Sequence, residues 1–332
     1  MGPDPIDGAG LQPNGDERVV SQMPRCRSRV AALLLGGSTV FVGPTGTAQS
    51  THGQPPLSVK AREQIETVRR AVAKYASPHT AEDAGYQPVF GMVPLQGVHY
   101  VRPDLVRDGT FDLDQPSILM YAPVNGDPKL VGVAYAFDHP RSQPLPEGFD
   151  GPNDDWHAHP ELSPDPAEHI VMVHVWLTDS PAGPFARYNA WLPYLAAALD
   201  RPPASLLTEK TPRGARARRF AFALAIATHP PQLFDLLESR GGPELTRAAY
   251  PHRRALAAAV DSLVAAEQRR DKAGYERLVT SSIAHSDALM AAYRGTVRSP
   301  RAREFIDKTL DELMGLGHEG HHPMPGTSPR KQ

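Results

Sequence analysis

Two periodicities meet near residue 200 of this chain, and together they restrict its fold more than any other feature. From Gly85 to Thr178 the apolar residues fall in short β-branched and aromatic runs bounded by turn residues. Ser117 to Val124 and Leu130 to Phe137, joined by Asn125-Gly126-Asp127-Pro128, predict a hairpin, and Val98 to Arg102 and His169 to Thr178 predict further strands. After Arg219 the chain turns alanine-rich with helical spacing, over Phe220 to Thr228, Pro231 to Ser239, Arg254 to Arg270, Lys272 to Tyr293 and Arg301 to Leu316. Upstream, Ser58 to Ala76 predicts one amphipathic helix, with Ser58 as N-cap and Val59, Ile65, Val68, Val72 and Tyr75 at roughly helical spacing. The expected fold is α+β: a β-rich barrel or sandwich core over 85–200, preceded by one helix within 49–84 and followed by a C-terminal helical bundle over 201–316.

The N-terminal 48 residues have a different character. Arg25, Arg27 and Arg29 precede an apolar stretch, Val30 to Val42, and Gly46-Thr47-Ala48 supplies small residues of the kind a signal peptidase cleaves after. The stretch is shorter than the about 20 apolar residues of a permanent membrane helix. These features predict a cleaved signal peptide over Met23 to Ala48, with translation beginning at Met23, and a mature protein that is secreted or periplasmic with no integral membrane segment. The single cysteine, Cys26, would leave with the signal, which excludes disulfides, thiolate ligands and a cysteine nucleophile from the mature chain. With Lys+Arg at 35 and Asp+Glu at 37 and no basic stripe, nucleic acid is not an expected partner. A small-molecule substrate is compatible with this composition.

Histidine is unevenly distributed. His139, His157, His159, His169 and His174 fall within thirty-six residues, with His99 in an upstream strand. Successive strand side chains alternate faces, so His157 and His159 project together, close enough to chelate one ion through imidazole nitrogens at about 2.0–2.1 Å. In Ile170 to Leu177, Val171, Val173, Val175 and Leu177 make one apolar face, and His174 lies on the other with Met172 and Trp176. His174 is therefore the expected third ligand. Glu161, at i+2 from His159, and His99 compete for a fourth place, although Pro160 makes a regular strand unsafe beyond His159. His169 points to the opposite face from His174, and Glu168 lies about 20 Å along the strand from it. His139 and His169 read as hydrogen-bonded strand residues, and His285 as a helix-face residue. The tail over 317–332, with His318, His321, His322 and Met324, reads as a disordered, loose copper or nickel chelator.

Gly151, five intervening residues and His157-Ala158-His159 resemble the first half of the cupin metal motif. The resemblance implies a metal held inside a β-barrel by His157 and His159, with His174 standing for the histidine of the second motif. The glutamate that cupins place after the second histidine is absent; Ser163 and Pro164 stand there. Gly85-Tyr86-Gln87-Pro88 through Trp191-Leu192-Pro193 is also similar to exported bacterial proteins without an assigned activity. No Gly-x-Ser-x-Gly elbow or phosphate loop occurs in the chain. The expected function is thus an exported protein carrying one divalent transition metal, whether zinc, copper, iron or manganese, on His157, His159 and His174 with Glu161 or His99. An open coordination position would make it a mononuclear oxygenase, hydrolase or lyase. A saturated one would make it a metal-handling protein, and histidines that are bystanders would leave a structural or interaction protein.

Overall fold

The computed structural model describes residues 55–296 and residue 300, apart from 161, 164 and 229–231. The export signal, the helix expected over Arg301 to Leu316 and the tail histidines lie outside the described residues.

Helix α1 (Val59–Val72) starts at the expected N-cap: the Ser58 hydroxyl accepts the Ala61 N–H at 2.9 Å. A 3-10 turn (Ala73–Tyr75) and the short α2 (Pro78–Asp83) follow. Then come β1 (Gln87–Val93), β2 (Gly97–Val101), α3 (Pro103–Asp108), β3 (Ile118–Val124), β4 (Asp127–Pro140), β5 (His157–His159) and β6 (Glu168–Trp176). The strands form one antiparallel sheet in the order β1-β2-β3-β4-β6-β5. The predicted hairpin is β3–β4. Its turn residues Asn125 and Gly126 have φ of 53° and 86°, the two left-handed conformations that a two-residue type I′ turn needs.

The α+β class holds, but the sheet is open: its edges β1 and β5 do not meet, so the expected barrel does not close. Nor, among the described residues, does a second sheet complete a sandwich. The physical reason lies in what covers the two faces. On one, Leu119, Tyr121, Val133, Tyr135, Val171, Val173 and Val175 pack against Ile65, Val68 and Val72 of α1, each large side chain contributing about 1.5–3 kcal/mol by burial. Buried tyrosines on this side retain a polar partner. The Tyr121 hydroxyl donates to the Tyr75 carbonyl at 2.8 Å, tying sheet to helix, and the Tyr135 hydroxyl to that of Leu113 at 2.8 Å. On the other face, Ile118, Met120, Ala134, Ala136, Met172 and Trp176 pack against Ala182, Ala186 and Leu192, the last opening helix α4 (Leu192–Ala197).

The chain ends in α5 (Ala204–Thr208), α6 (Pro212–Ala227), α7 (Gln232–Gln268) and α8 (Lys272–Thr296). Helix α6 begins at Pro212, not Phe220, because the Thr211 hydroxyl accepts the Gly214 N–H at 3.1 Å; the arginines of its first turns hide the apolar period. Helix α7 breaks at Gly242 (φ 80°) and resumes at Pro243, well before the expected start at Arg254. The bundle packs on the sheet. Leu95 of the β1–β2 turn and Tyr188 join Phe222, Ile226, Leu245 and Leu289 in one cluster.

Gly97 opens β2 at φ 93°, and a Cβ there would run into the Tyr121 carbonyl across the ladder. Gly97→Ala is therefore expected to destabilise the protein by about 2 kcal/mol or more. The check is the urea midpoint, which should fall with an unchanged slope; a midpoint equal to wild type would contradict this reading.

Candidate functional site

Strand β5 is three residues long and stops at the residue before Pro160, which cannot donate to a ladder. Its register against β6 sets His157 opposite Met172 and His159 opposite Ile170. His174 follows Met172 by two residues on the same face. The result is that His157 lies between the other two rings, with centroids 4.9 Å from His159 and 5.2 Å from His174.

His99 reaches the same place from β2. Two strands, β3 and β4, separate it from β6, so a flat sheet would hold the backbones roughly 14 Å apart at about 4.8 Å per strand. The His99 and His174 centroids are nevertheless 6.1 Å apart. Both rings lean over β4, where the residues on this face are Gly132, Ala134 and Ala136. A Cβ on Gly132 would stand 2.6 Å from Met120 Cε, so even that glycine is needed for the packing beside the cluster.

Of the expected ligands, the structure thus gathers His157, His159, His174 and His99, while Glu161 lies outside the described residues. His139 and His169 stack on each other at 5.8 Å and 10° near Phe137, away from the cluster, as strand parity predicts. His285 is more than a helix-face residue: its Nδ1 is 3.1 Å from Nδ1 of His252, one ring donating to the other across α7 and α8.

The tautomers of two rings follow from their partners. His157 Nδ1 is 3.0 Å from the Asp155 carbonyl, and His174 Nδ1 is 2.9 Å from the Arg187 carbonyl. A carbonyl oxygen only accepts, so each Nδ1 carries the hydrogen and donates it. In the neutral rings both Nε2 atoms are then bare lone pairs. This orientation through the far nitrogen is the one metal-ligating histidines adopt.

The two anchoring carbonyls belong to residues that also grip each other. The Arg187 guanidinium pairs with the Asp155 carboxylate at 2.9 and 3.3 Å, with side chains 20% and 26% exposed. The Gln96 amide donates a second bond to the Arg187 carbonyl at 3.0 Å. Arg187 is further held by its neighbours, since Trp176 Nε1 donates to the Ala186 carbonyl at 2.5 Å. Sequence reasoning found neither Arg187 nor Gln96. Asp155 stands in the polar loop before Trp156, but nothing in the chain's spacing couples it to an arginine 32 residues on.

Burial decides the charge of the cluster. His99, His157 and His174 are 7%, 7% and 1% exposed. Loss of water pushes His99 down to about 4, with His159 adding to the effect. It pushes His157 and His174 well below the ordinary imidazole value, reinforced by neighbouring imidazoles and the Arg187 cation. All three are neutral at pH 7. His99 Nδ1 is buried without a hydrogen-bond partner among the described residues, a cost that proteins seldom bear without a use for the group.

Among the described residues, no group of three or more His, Cys, Asp or Glu side chains is already arranged to hold a metal ion. The rings meet edge to face, at 73° and 71° for the two His157 contacts, instead of converging on a common point. Comparison with known proteins finds no matching family model, no similar curated protein and no similar solved structure.

Two outcomes are expected. Below pH 6.5 the unfolded chain binds protons that His99, His157 and His174 refuse when folded, so stability falls as pH drops through the window from 6.5 to about 4. Each such histidine contributes a slope of about 1.4 kcal/mol per pH unit. Urea midpoints of the metal-free chain at pH 7 and pH 5 measure the loss, and replacing His99 with Gln should reduce it. Separately, Arg187→Leu leaves the Asp155 carboxylate partly buried and alone and should cost about 1–3 kcal/mol. Calorimetry would show that as a lower Tm, and an unchanged Tm would mean that the pair is not a structural clamp.

Proposed function

We propose that this is an exported metal-binding protein whose His157, His159 and His174, completed by His99, hold one transition-metal ion. The carrying observation is the pair of Nδ1–H anchors, which leaves the Nε2 lone pairs of His157 and His174 bare inside a cluster of imidazoles. Neutral imidazoles with lone pairs to give are what zinc, copper, iron and nickel bind. An ion would draw the rings of His99 and His159 round to meet the Nε2 atoms of the other two.

A fourth imidazole favours holding a metal over using it for catalysis. Three histidines with a free position would activate water or bind dioxygen, whereas His99, its ring centroid 6.1 Å from that of His174, would fill that position from β2. The cupin resemblance is not required for this reading, because the ligands stand on one face of an open sheet. Export is supported by the arginine-flanked apolar stretch before Ala48.

The test is elemental analysis of the full chain after exposure to zinc and to copper and removal of loosely held ions. His318, His321 and His322 are replaced by Ala in every sample, so that the tail contributes nothing. About one equivalent should remain bound, and His157→Ala/His159→Ala should retain a tenth of that or less. Equal metal in both proteins would refute the proposal.

A further inference from the structure

Met172 belongs to the apolar cluster on this face of the sheet and also touches the histidines. It stands opposite His157 in the β5–β6 register and two residues before His174 on the same face. Its Sδ lies 3.2 Å from His174 Nε2. That is hydrogen-bond distance for sulfur, yet no hydrogen is available to make the bond. The Arg187 carbonyl already fixes the ring hydrogen of His174 on Nδ1, and a thioether has none to give. The two atoms meet where His174 is 1% exposed and Met172 7%, and a soft electrophile between them would accept a lone pair from each.

The spacing suits one. An ion about 2.0 Å from a nitrogen and about 2.3 Å from a sulfur sees them at about 95° when they are 3.2 Å apart, an angle that four-coordinate sites accommodate. Hard ions such as magnesium and manganese take oxygen ligands; a neutral thioether beside neutral imidazoles selects for soft, polarisable cations, of which monovalent copper is the first-row case.

We infer that the metal is copper, bound as Cu(I), with the Met172 thioether and the Nε2 atoms of His157 and His174 as ligands and His99 or His159 closing the shell. This rests on the metal-binding reading above and makes it specific. No electron transfer is involved in the binding step: Cu(I) enters as such and displaces no hydrogen from the bare Nε2 atoms.

The experiment compares wild type, Met172→Leu and His157→Ala/His159→Ala as full chains. Each carries Cys26→Ser, which removes the only thiol, and alanine at the three tail histidines. Under anaerobic, reducing conditions each protein competes for Cu(I) with a chromophoric Cu(I) chelator, and in separate samples for zinc with a chromophoric zinc chelator. Leucine keeps the volume and apolar character of methionine, so Met172→Leu should fold, and circular dichroism checks this. The expected result is that Met172→Leu weakens Cu(I) binding at least about tenfold while zinc binding changes less than about twofold. X-ray absorption of the copper-loaded wild type gives a second reading that needs no folded variant, and should show one sulfur neighbour near 2.3 Å with nitrogens near 2.0 Å. Copper bound by wild type and lost in the double histidine variant, but with no sulfur neighbour and unchanged in Met172→Leu, would overturn the copper assignment and leave the histidine site standing. A wild type that holds neither metal would overturn both.

Discussion

The site depends on one hydrogen-bonded junction, the Arg187 carbonyl with the ion pair that its side chain makes. That oxygen receives the His174 ring hydrogen and the Gln96 amide, while the guanidinium grips Asp155, whose own carbonyl receives the His157 ring hydrogen. Remove the junction and both rings regain the freedom to turn, along with the choice of which nitrogen is protonated. In an apolar setting that choice is large in consequence, because a bare nitrogen and an N–H differ in everything they can bind.

The fold exists, in this view, to bring the junction and the rings to one place. The apolar face of the sheet rests on α1 and supplies most of the burial. The opposite face can then afford small residues on β4, over which His99 and His174 lean toward each other. The segment after β6 returns along that face, with the Trp176 backbone N–H donating to the Pro184 carbonyl at 2.7 Å and its indole to Ala186. This return is what carries Arg187 to the ring of His174. The helical bundle anchors the same segment from the other side, since Tyr188 belongs to its core.

Much of this is legible in the residue order and some is not. Strand parity alone separates His174 from His169, and it pairs Met172 and Trp176 with the histidine, because alternation along a strand is local and rigid. The Asn-Gly turn of the hairpin and the Ser58 cap are equally local. The barrel expectation failed for a nonlocal reason: closure depends on whether edge strands meet, and the apolar spacing of β1 and β5 is silent on that. The approach of His99 to the other rings could not be read from its own segment, since it crosses two intervening strands. Arg187 left no sequence signal at all, because its use is through a backbone carbonyl that any residue could offer.

The protonation pattern of two rings is the most direct test of the account. Long-range nitrogen–proton correlation spectra of the imidazoles, recorded on the metal-free full chain at pH 7 and again with one equivalent of zinc, distinguish N–H from bare nitrogen in each histidine. The account predicts that His157 and His174 are both neutral with hydrogen on Nδ1, and that their Nε2 resonances move when zinc is added. A hydrogen on Nε2 of either ring, or Nε2 resonances that stay in place with the metal present, would contradict it.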